Sequence, residues 1–323
     1  MIRLRRRTAT TLKAAVSIML VLWLFRRIGA ASLLQRLLTV DVFWLVSAAA
    51  AFALSNVLGA LQWHLLLRSQ RVPIRFAESL SFYHVGLFFN NFLIGNIGGD
   101  ALRIYDIRRL SGDGAVAVSS VVFDRFIGFF TLTSLAMIVS LVAVRHLVSF
   151  DAVYLTAVVL AVWLTALFFL FNDRAGAQLG RFLRPLLPPA IAGRLQDAYQ
   201  RINRLRESRN ILAQLFMISV LVQSLRILTH YWAALSVGAR VGVHYFFIFV
   251  PIIALAASLP ISFGGIGVRE QSAAVIFGAV GLAASQVVAF EFLAYLVGIL
   301  TALPGGFIFA LRRNEIRPEE MIN

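Results

Sequence analysis

Long apolar runs separated by short arginine-rich segments set the pattern of this chain. The first run, Ala14 to Phe25, follows the basic start Met-Ile-Arg-Leu-Arg-Arg-Arg and stops at Arg26 and Arg27. It has the shape of a signal peptide, yet arginines stand where a cleavage site needs small neutral residues. The pattern therefore predicts an uncleaved first span with snorkelling ends. Further spans are predicted at about 42–67, 115–144, 152–171, 211–236, 245–262, 266–283 and 286–311. Apolar runs of about 18 residues or more cross a bilayer as helices, because each backbone N–H and C=O must be satisfied within the segment. The fold class read from the pattern is all-α, a polytopic helical membrane protein with about seven or eight spans.

One stretch departs from this rule. Residues 76–98 are apolar but carry Glu78, His84, Asn90, Asn91, Asn96 and a glycine cluster. Lys and Arg are retained on the cytoplasmic side of a membrane. That places the N-terminus, the 68–75 loop, the 172–210 linker with its eight arginines, and the tail from Arg312 in the cytoplasm. Were 76–98 a full span, Arg103–Arg109 and the whole linker would lie outside. Residues 76–112 are therefore expected to enter and return as two re-entrant half-helices. The membrane tolerates such irregular backbone only where it is buried in protein or lines a wet cavity.

A short motif recurs: Gly98-Gly99-Asp100-Ala101-Leu102-Arg103 is echoed by Gly264-Gly265-Ile266-Gly267-Val268-Arg269. Each follows an apolar arm, Pro260 breaks the second, and by parity the two arms start from opposite faces. Interrupted segments of this kind mark inverted-repeat transporters and point to their binding site. The expected organisation is one transmembrane domain over 1–323, with a first repeat at about 42–171 and a cytoplasmic linker at 172–210. A second repeat follows at about 211–311, then a cytoplasmic tail at 312–323. Within the linker, Ile191, Leu195, Ala198, Ile202 and Leu205 recur at spacings of 4, 3, 4 and 3, with Arg194, Arg201, Arg204 and Arg206 off that stripe. This reads as a basic amphipathic helix lying on anionic lipid.

Composition agrees with the pattern and removes other classes. The chain is 60% hydrophobic and 14% charged, against about 45–50% and about 25% in soluble proteins. Soluble enzyme, secreted scaffold and disordered tail are excluded. The net charge of +15 is carried by arginine, Lys13 being the one lysine. In a membrane protein this sets topology first and attracts anionic headgroups second; nucleic acid is not an expected partner. The absence of cysteine removes disulfides, thiolate chemistry and cysteine zinc sites. No His-x-x-x-His or Glu-x-x-His spacing points to a metal, no P-loop to an ATP engine, and no Asp-x-Asp pair to a magnesium-dependent transferase. No cofactor is expected.

Ionisable groups in apolar segments are costly and are functional candidates by default. Here they are Arg103 with Asp100, Arg269 with Glu270, Asp124 with Arg125, Arg226 with His230, and Glu291. Adjacent opposite charges also neutralise one another at an interface, where arginine snorkels. A half-helix starting after Gly98-Gly99 or Gly264-Gly265 presents unpaired N–H groups that favour an anion. An arginine one turn further on grips phosphate oxygens in bidentate fashion. Together they describe a seat for a lipid phosphate; the same glycines also suit close helix packing. Gln223, Arg226 and His230, spaced i, i+3, i+7, form a polar stripe that either faces a water-filled path or packs against the acidic groups.

The run Ser258-Leu259-Pro260-Ile261-Ser262-Phe263-Gly264-Gly265-Ile266-Gly267-Val268-Arg269-Glu270 resembles the signature of the lysylphosphatidylglycerol synthase transmembrane region, the flippase-like integral membrane family. Gly98 to Arg103, the Asp124-Arg125-Phe126-Ile127-Gly128 stretch and the late Pro304-Gly305-Gly306 agree with it, and the likeness spans roughly 10–311. Asp100 and Asp124 stand where relatives often carry glutamate, which keeps the charge. The resemblance implies a helical domain that moves aminoacylated or other lipids between leaflets, with arginines and acids lining a central cavity. Bifunctional relatives add a soluble aminoacyl-transferase domain; this sequence runs to Asn323 without one, so lysyl transfer is not expected of it. Stand-alone relatives are associated with glycolipid, hopanoid or polyprenyl-linked pathways.

The expected function is that of a lipid flippase or lipid-transport module of the bacterial inner membrane, with both termini cytoplasmic. It would translocate an anionic or modified lipid, whether aminoacyl-, glyco- or polyprenyl-linked. Membrane lipids are its expected partners, with a lipid-synthesis enzyme or a second copy of the chain as further ones. Arg103 and Arg269 would hold the headgroup in turn, and Asp100, Glu270, Asp124 and Glu291 would neutralise them between visits or carry a proton. The same residues admit two alternatives. One is a membrane enzyme acting on a lipid-linked sugar or phosphate, with Asp100 or Glu270 as general base. The other is a non-transporting partner of a lipid-synthesis enzyme.

Overall fold

The structure, a computed structural model, describes residues 37–92, 98–143, 150–183, 199–200, 209–258 and 267–312. Among the described residues the chain is helical and contains no strand. The helices are α1 (Val42–Ser69), α2 (Phe76–Phe92), α3 (Gly98–Ser111), α4 (Gly114–Ala143), α5 (Phe150–Phe171), α6 (Asp173–Leu183), α7 (Arg209–Ser236), α8 (Val243–Ser258), α9 (Val268–Gly278) and α10 (Ala284–Arg312). The predicted first span at 14–25, the stripe residues Ile191, Leu195, Ala198, Ile202 and Leu205, the glycines Gly264 and Gly265, and the tail beyond Arg312 lie outside the described residues.

Helix lengths follow one order twice. α1 to α4 run 28, 17, 14 and 30 residues, and α7 to α10 run 28, 16, 11 and 29. A helix rises 1.5 Å per residue, and the hydrocarbon core is about 30 Å thick. The four long helices α1, α4, α7 and α10 are long and apolar enough to cross it, whereas the short pairs fall below the roughly 20 residues a crossing needs. Of the spans expected at 245–262 and 266–283, the described residues hold the helices α8 and α9, and residues 259–266 lie outside them. α8 ends at Ser258 and α9 at Gly278. Gly267 and Gly281, with φ of +85° and +89°, bracket α9 with a left-handed backbone that ends a helix whatever the hydropathy of its neighbours.

The chain divides into two compact units. The first contains described residues 37–54, 81–92, 98–102, 225–258 and 267–312; the second contains 55–80, 103–143, 150–183, 199–200 and 209–224.

In the first unit the start of α3 folds back on α2. A Cβ at Gly99 would run into the Gly86 carbonyl, although a continuous helix would hold residues 13 apart about 20 Å from one another. Asn90 Oδ1 accepts the Gly99 N–H at 2.9 Å, securing the fold-back. α8 and α9 form the second such hairpin: Phe277, near the end of α9, lies 4.8 Å from Phe246 and 5.2 Å from Phe249, in the first half of α8. Phe290 of α10 closes the cluster at 5.3 Å from Phe277. Within a bilayer such contacts stabilise through packing rather than through expulsion of water. α10 reaches α2 where a Cβ on Gly305 would meet the His84 carbonyl, so this crossing needs glycine.

In the second unit α4 is the centre. Trp163 of α5 stacks on Phe129 at 5.9 Å. Gly128 leaves room for the Gln223 amide of α7, whose nitrogen lies 3.1 Å from where a Cβ would stand. The basic linker begins with a helix that precedes the stripe read at 191–205: α6 carries Arg174 and Arg181 exposed, with Phe182 72% exposed beside them.

Candidate functional site

The charged residues of the apolar segments fall into one group in each unit. In the second unit Arg103 Nη2 donates to Asp124 Oδ2 at 2.8 Å, with side chains 4% and 9% exposed. The other carboxylate oxygen of Asp124 accepts from Gln62 Nε2 at 3.0 Å. The Arg103 guanidinium carbon sits 4.1 Å from the centroid of the Trp63 ring, a cation–π contact strengthened by loss of water. α3 aims the arginine at α4, and α1 supplies both the ring and the amide. Adjacency in sequence pairs Asp124 with Arg125; in space its two carboxylate oxygens accept from Arg103 and Gln62.

The first unit holds the larger group. α7 presents Arg226 and His230 one turn apart. His230 Nδ1 lies 3.0 Å from Glu291 Oε1 of α10, so of the polar stripe read from the sequence His230 is the member that meets an acid. Glu291 has no exposed surface, while the His230 side chain is 19% exposed. Glu291 Oε2 and Gln271 Oε1 are buried without a hydrogen-bond partner among the described residues. α9 contributes Arg269, whose guanidinium lies 5.1 Å from the Tyr295 ring of α10. It also contributes Glu270, which lies within electrostatic range of both Glu291 and Tyr295. Arg226 is half-buried, and among the described residues its hydrogen-bond partner is the Tyr83 hydroxyl at 3.4 Å, with no carboxylate in reach.

The described starts of α3 and α9 each already hold an acceptor from the chain itself. At α3 the Gly99 N–H goes to Asn90, with Asp100 in the first turn. At α9 the Gly267 N–H goes to Glu270 Oε2 at 2.7 Å. The exposed positive end of each dipole is therefore partly answered from within, and the less compensated positive charge of the first unit is Arg226.

The structure thus brings together Arg103 with Asp124 and His230 with Glu291; Glu270, beside Arg269 in sequence, caps the Gly267 N–H, while Gln223 belongs to the second unit and lies against Gly128. Sequence reasoning missed Gln62, Trp63, Tyr83 and Tyr295. Polar or aromatic side chains within apolar runs carry no spacing signal, and Asn90 was visible only as one of several asparagines interrupting 76–98.

Long apolar helices, two broken hairpins and charged groups gathered beside them define a multi-pass helical membrane protein. The chain belongs to the family of the lysylphosphatidylglycerol synthase transmembrane region, whose profile matches residues 10–306. It is also similar to a UPF0104 membrane protein of Pyrococcus horikoshii, with 22% identity over 324 aligned residues that cover 92% of this chain and 96% of the relative. The family associates the chain with lipid modification or transport at the membrane.

Proposed function

We propose that this protein translocates a lipid with an anionic phosphate headgroup between leaflets, and that Arg226 is the residue that grips the phosphate. The observation that carries the reading is Arg226 itself. It is a half-buried cation on an apolar helix, it is held among the described residues by a neutral hydroxyl, and it stands one turn from a buried acid–base pair. A charge at that depth is expensive unless something neutralises it. A phosphate does so, because the planar guanidinium fork matches two of its oxygens. Arg269 on α9 offers a second contact in the same unit. The two interrupted hairpins supply the irregular backbone on which transporters build their sites.

Arg103 takes a different part in this scheme. Its salt bridge to Asp124 and its seat on Trp63 fix α3 against α4 and α1, so a headgroup would have to displace a buried carboxylate to use it. Arginine placement supports a cytoplasmic linker and cytoplasmic termini in a bacterial inner membrane. Mass spectrometry of lipid retained by the purified protein tests the reading. Wild type should carry phosphate-bearing anionic lipid above its share of the membrane, and Arg226→Ala should lose that excess. A retained set equal to bulk membrane lipid, and unchanged by the substitution, would overturn it.

A further inference from the structure

We propose that Glu291 and His230 form a proton-binding site that takes up one proton when an anion binds at Arg226; this rests on the headgroup reading above and adds the coupling ion. The geometry is that of a relay. Glu291 is fully enclosed, one oxygen 3.0 Å from His230 Nδ1 and the other without a hydrogen-bond partner among the described residues. His230 is the partly exposed member, so a proton enters through the imidazole and is stored on the carboxylate. Buried Asp, Glu and His groups in membrane helices serve as proton carriers in pumps and transporters.

The charges around the pair give the coupling its sign. α7 supplies Arg226, about 6 Å before His230 along the axis. α9 supplies Arg269 and Glu270, and α10 supplies Tyr295 beneath Arg269. α2 supplies Tyr83, bonded to Arg226, and beside it His84. α8 packs Phe246 on Phe290 and carries its titratable groups, His244 and Tyr245, at its start with rings 4.3 Å apart. With Glu291 ionised and His230 neutral, the charges of Arg226, Arg269, Glu270 and Glu291 sum to zero, although Arg226 itself touches neither carboxylate. A phosphodiester at Arg226 adds a negative charge that a low-dielectric interior penalises. A proton on the Glu291–His230 pair removes it. Release of the anion reverses the balance and frees the proton. Lipid and proton therefore move together, with no net charge carried.

The test uses phosphatidylcholine vesicles containing the protein and fluorescent phosphatidylglycerol, with a pH gradient imposed across the membrane. Wild type should accumulate label in the leaflet facing the alkaline side. Glu291→Gln and His230→Gln should each abolish that accumulation, and Glu291→Asp should restore it; a melting curve in detergent separates misfolded variants from uncoupled ones. In weakly buffered micelles, short-chain phosphatidylglycerol should draw about one proton per bound lipid into wild type and none into Glu291→Gln. Equal uptake with inorganic phosphate alone would make the ligand a free anion rather than a headgroup. A wild type that equilibrates the label without bias under the gradient overturns the coupling and leaves the transport reading standing. Uptake that persists in Glu291→Gln overturns the assignment to this pair. A wild type that moves no label and takes up no proton defeats both.

Discussion

Arg103 and Asp124, 21 residues apart in sequence, meet through a 2.8 Å hydrogen bond between Nη2 and Oδ2 with almost no surface exposed. The pair joins the helix that begins at the first glycine break to the long helix that follows it. Its enclosure by Trp63 and Gln62 makes it a fixed strut of the second unit.

Loss of one partner leaves the other as an uncompensated buried charge, at a cost of roughly 3–5 kcal/mol. Asp124→Ala is therefore expected to lower the melting temperature in detergent sharply. The double substitution Arg103→Leu with Asp124→Ala should recover part of the loss, because no charge is left buried and unpaired, although the Gln62 amide loses its acceptor. If Asp124→Ala melts like wild type, the strut is not where stability resides.

Glycine substitutions should sort by what a methyl group meets. Gly99→Ala and Gly305→Ala place a Cβ against the backbone carbonyls of Gly86 and His84, and both are expected to reduce folded yield severely. Gly306→Ala meets the Phe88 ring at 2.7 Å, a side chain able to turn aside, and should be milder. Gly180→Ala meets nothing within 4 Å on α6, and a helix gains about 0.5–1 kcal/mol from that exchange. Equal behaviour of all four in fluorescence-detected gel filtration would contradict the fold-back of α3 on α2.

Much of this arrangement was legible in the residues themselves. The broken stretch at 76–112 shows because asparagines and glycines interrupt an apolar run, and the charged residues show because nothing else in those segments is charged. The partners do not show. Asp124 sits beside Arg125 in sequence, and its pairing with Arg103 depends on how α3 leans on α4. The ring under Arg103 is one tryptophan in a long apolar helix, without any periodicity that sets it apart. The length of α9 was hidden as well, since apolar residues run on past both of its ends while the backbone at Gly267 and Gly281 stops it.

Headgroup affinity should depend on the shape of the cation at position 226. Charge-assisted hydrogen bonds contribute about 1.5–3 kcal/mol, so Arg226→Ala is expected to weaken binding of short-chain phosphatidylglycerol about 10- to 100-fold. Arg226→Lys should fall between, keeping the charge but losing the bidentate fork. Calorimetric titration in micelles reads both. Equal affinities in all three proteins would remove Arg226 from the site.

The most direct measurement is transbilayer exchange of fluorescent phosphatidylglycerol in vesicles, read by a reductant that quenches only the outer leaflet. With wild-type protein the inner-leaflet label should become accessible, and Arg226→Ala and Arg269→Ala should slow that exchange strongly. Protein-free vesicles should keep their inner-leaflet label. Exchange no faster than in protein-free vesicles, for phosphatidylglycerol and for glycolipid and polyprenyl-phosphate probes alike, would contradict lipid translocation by this protein.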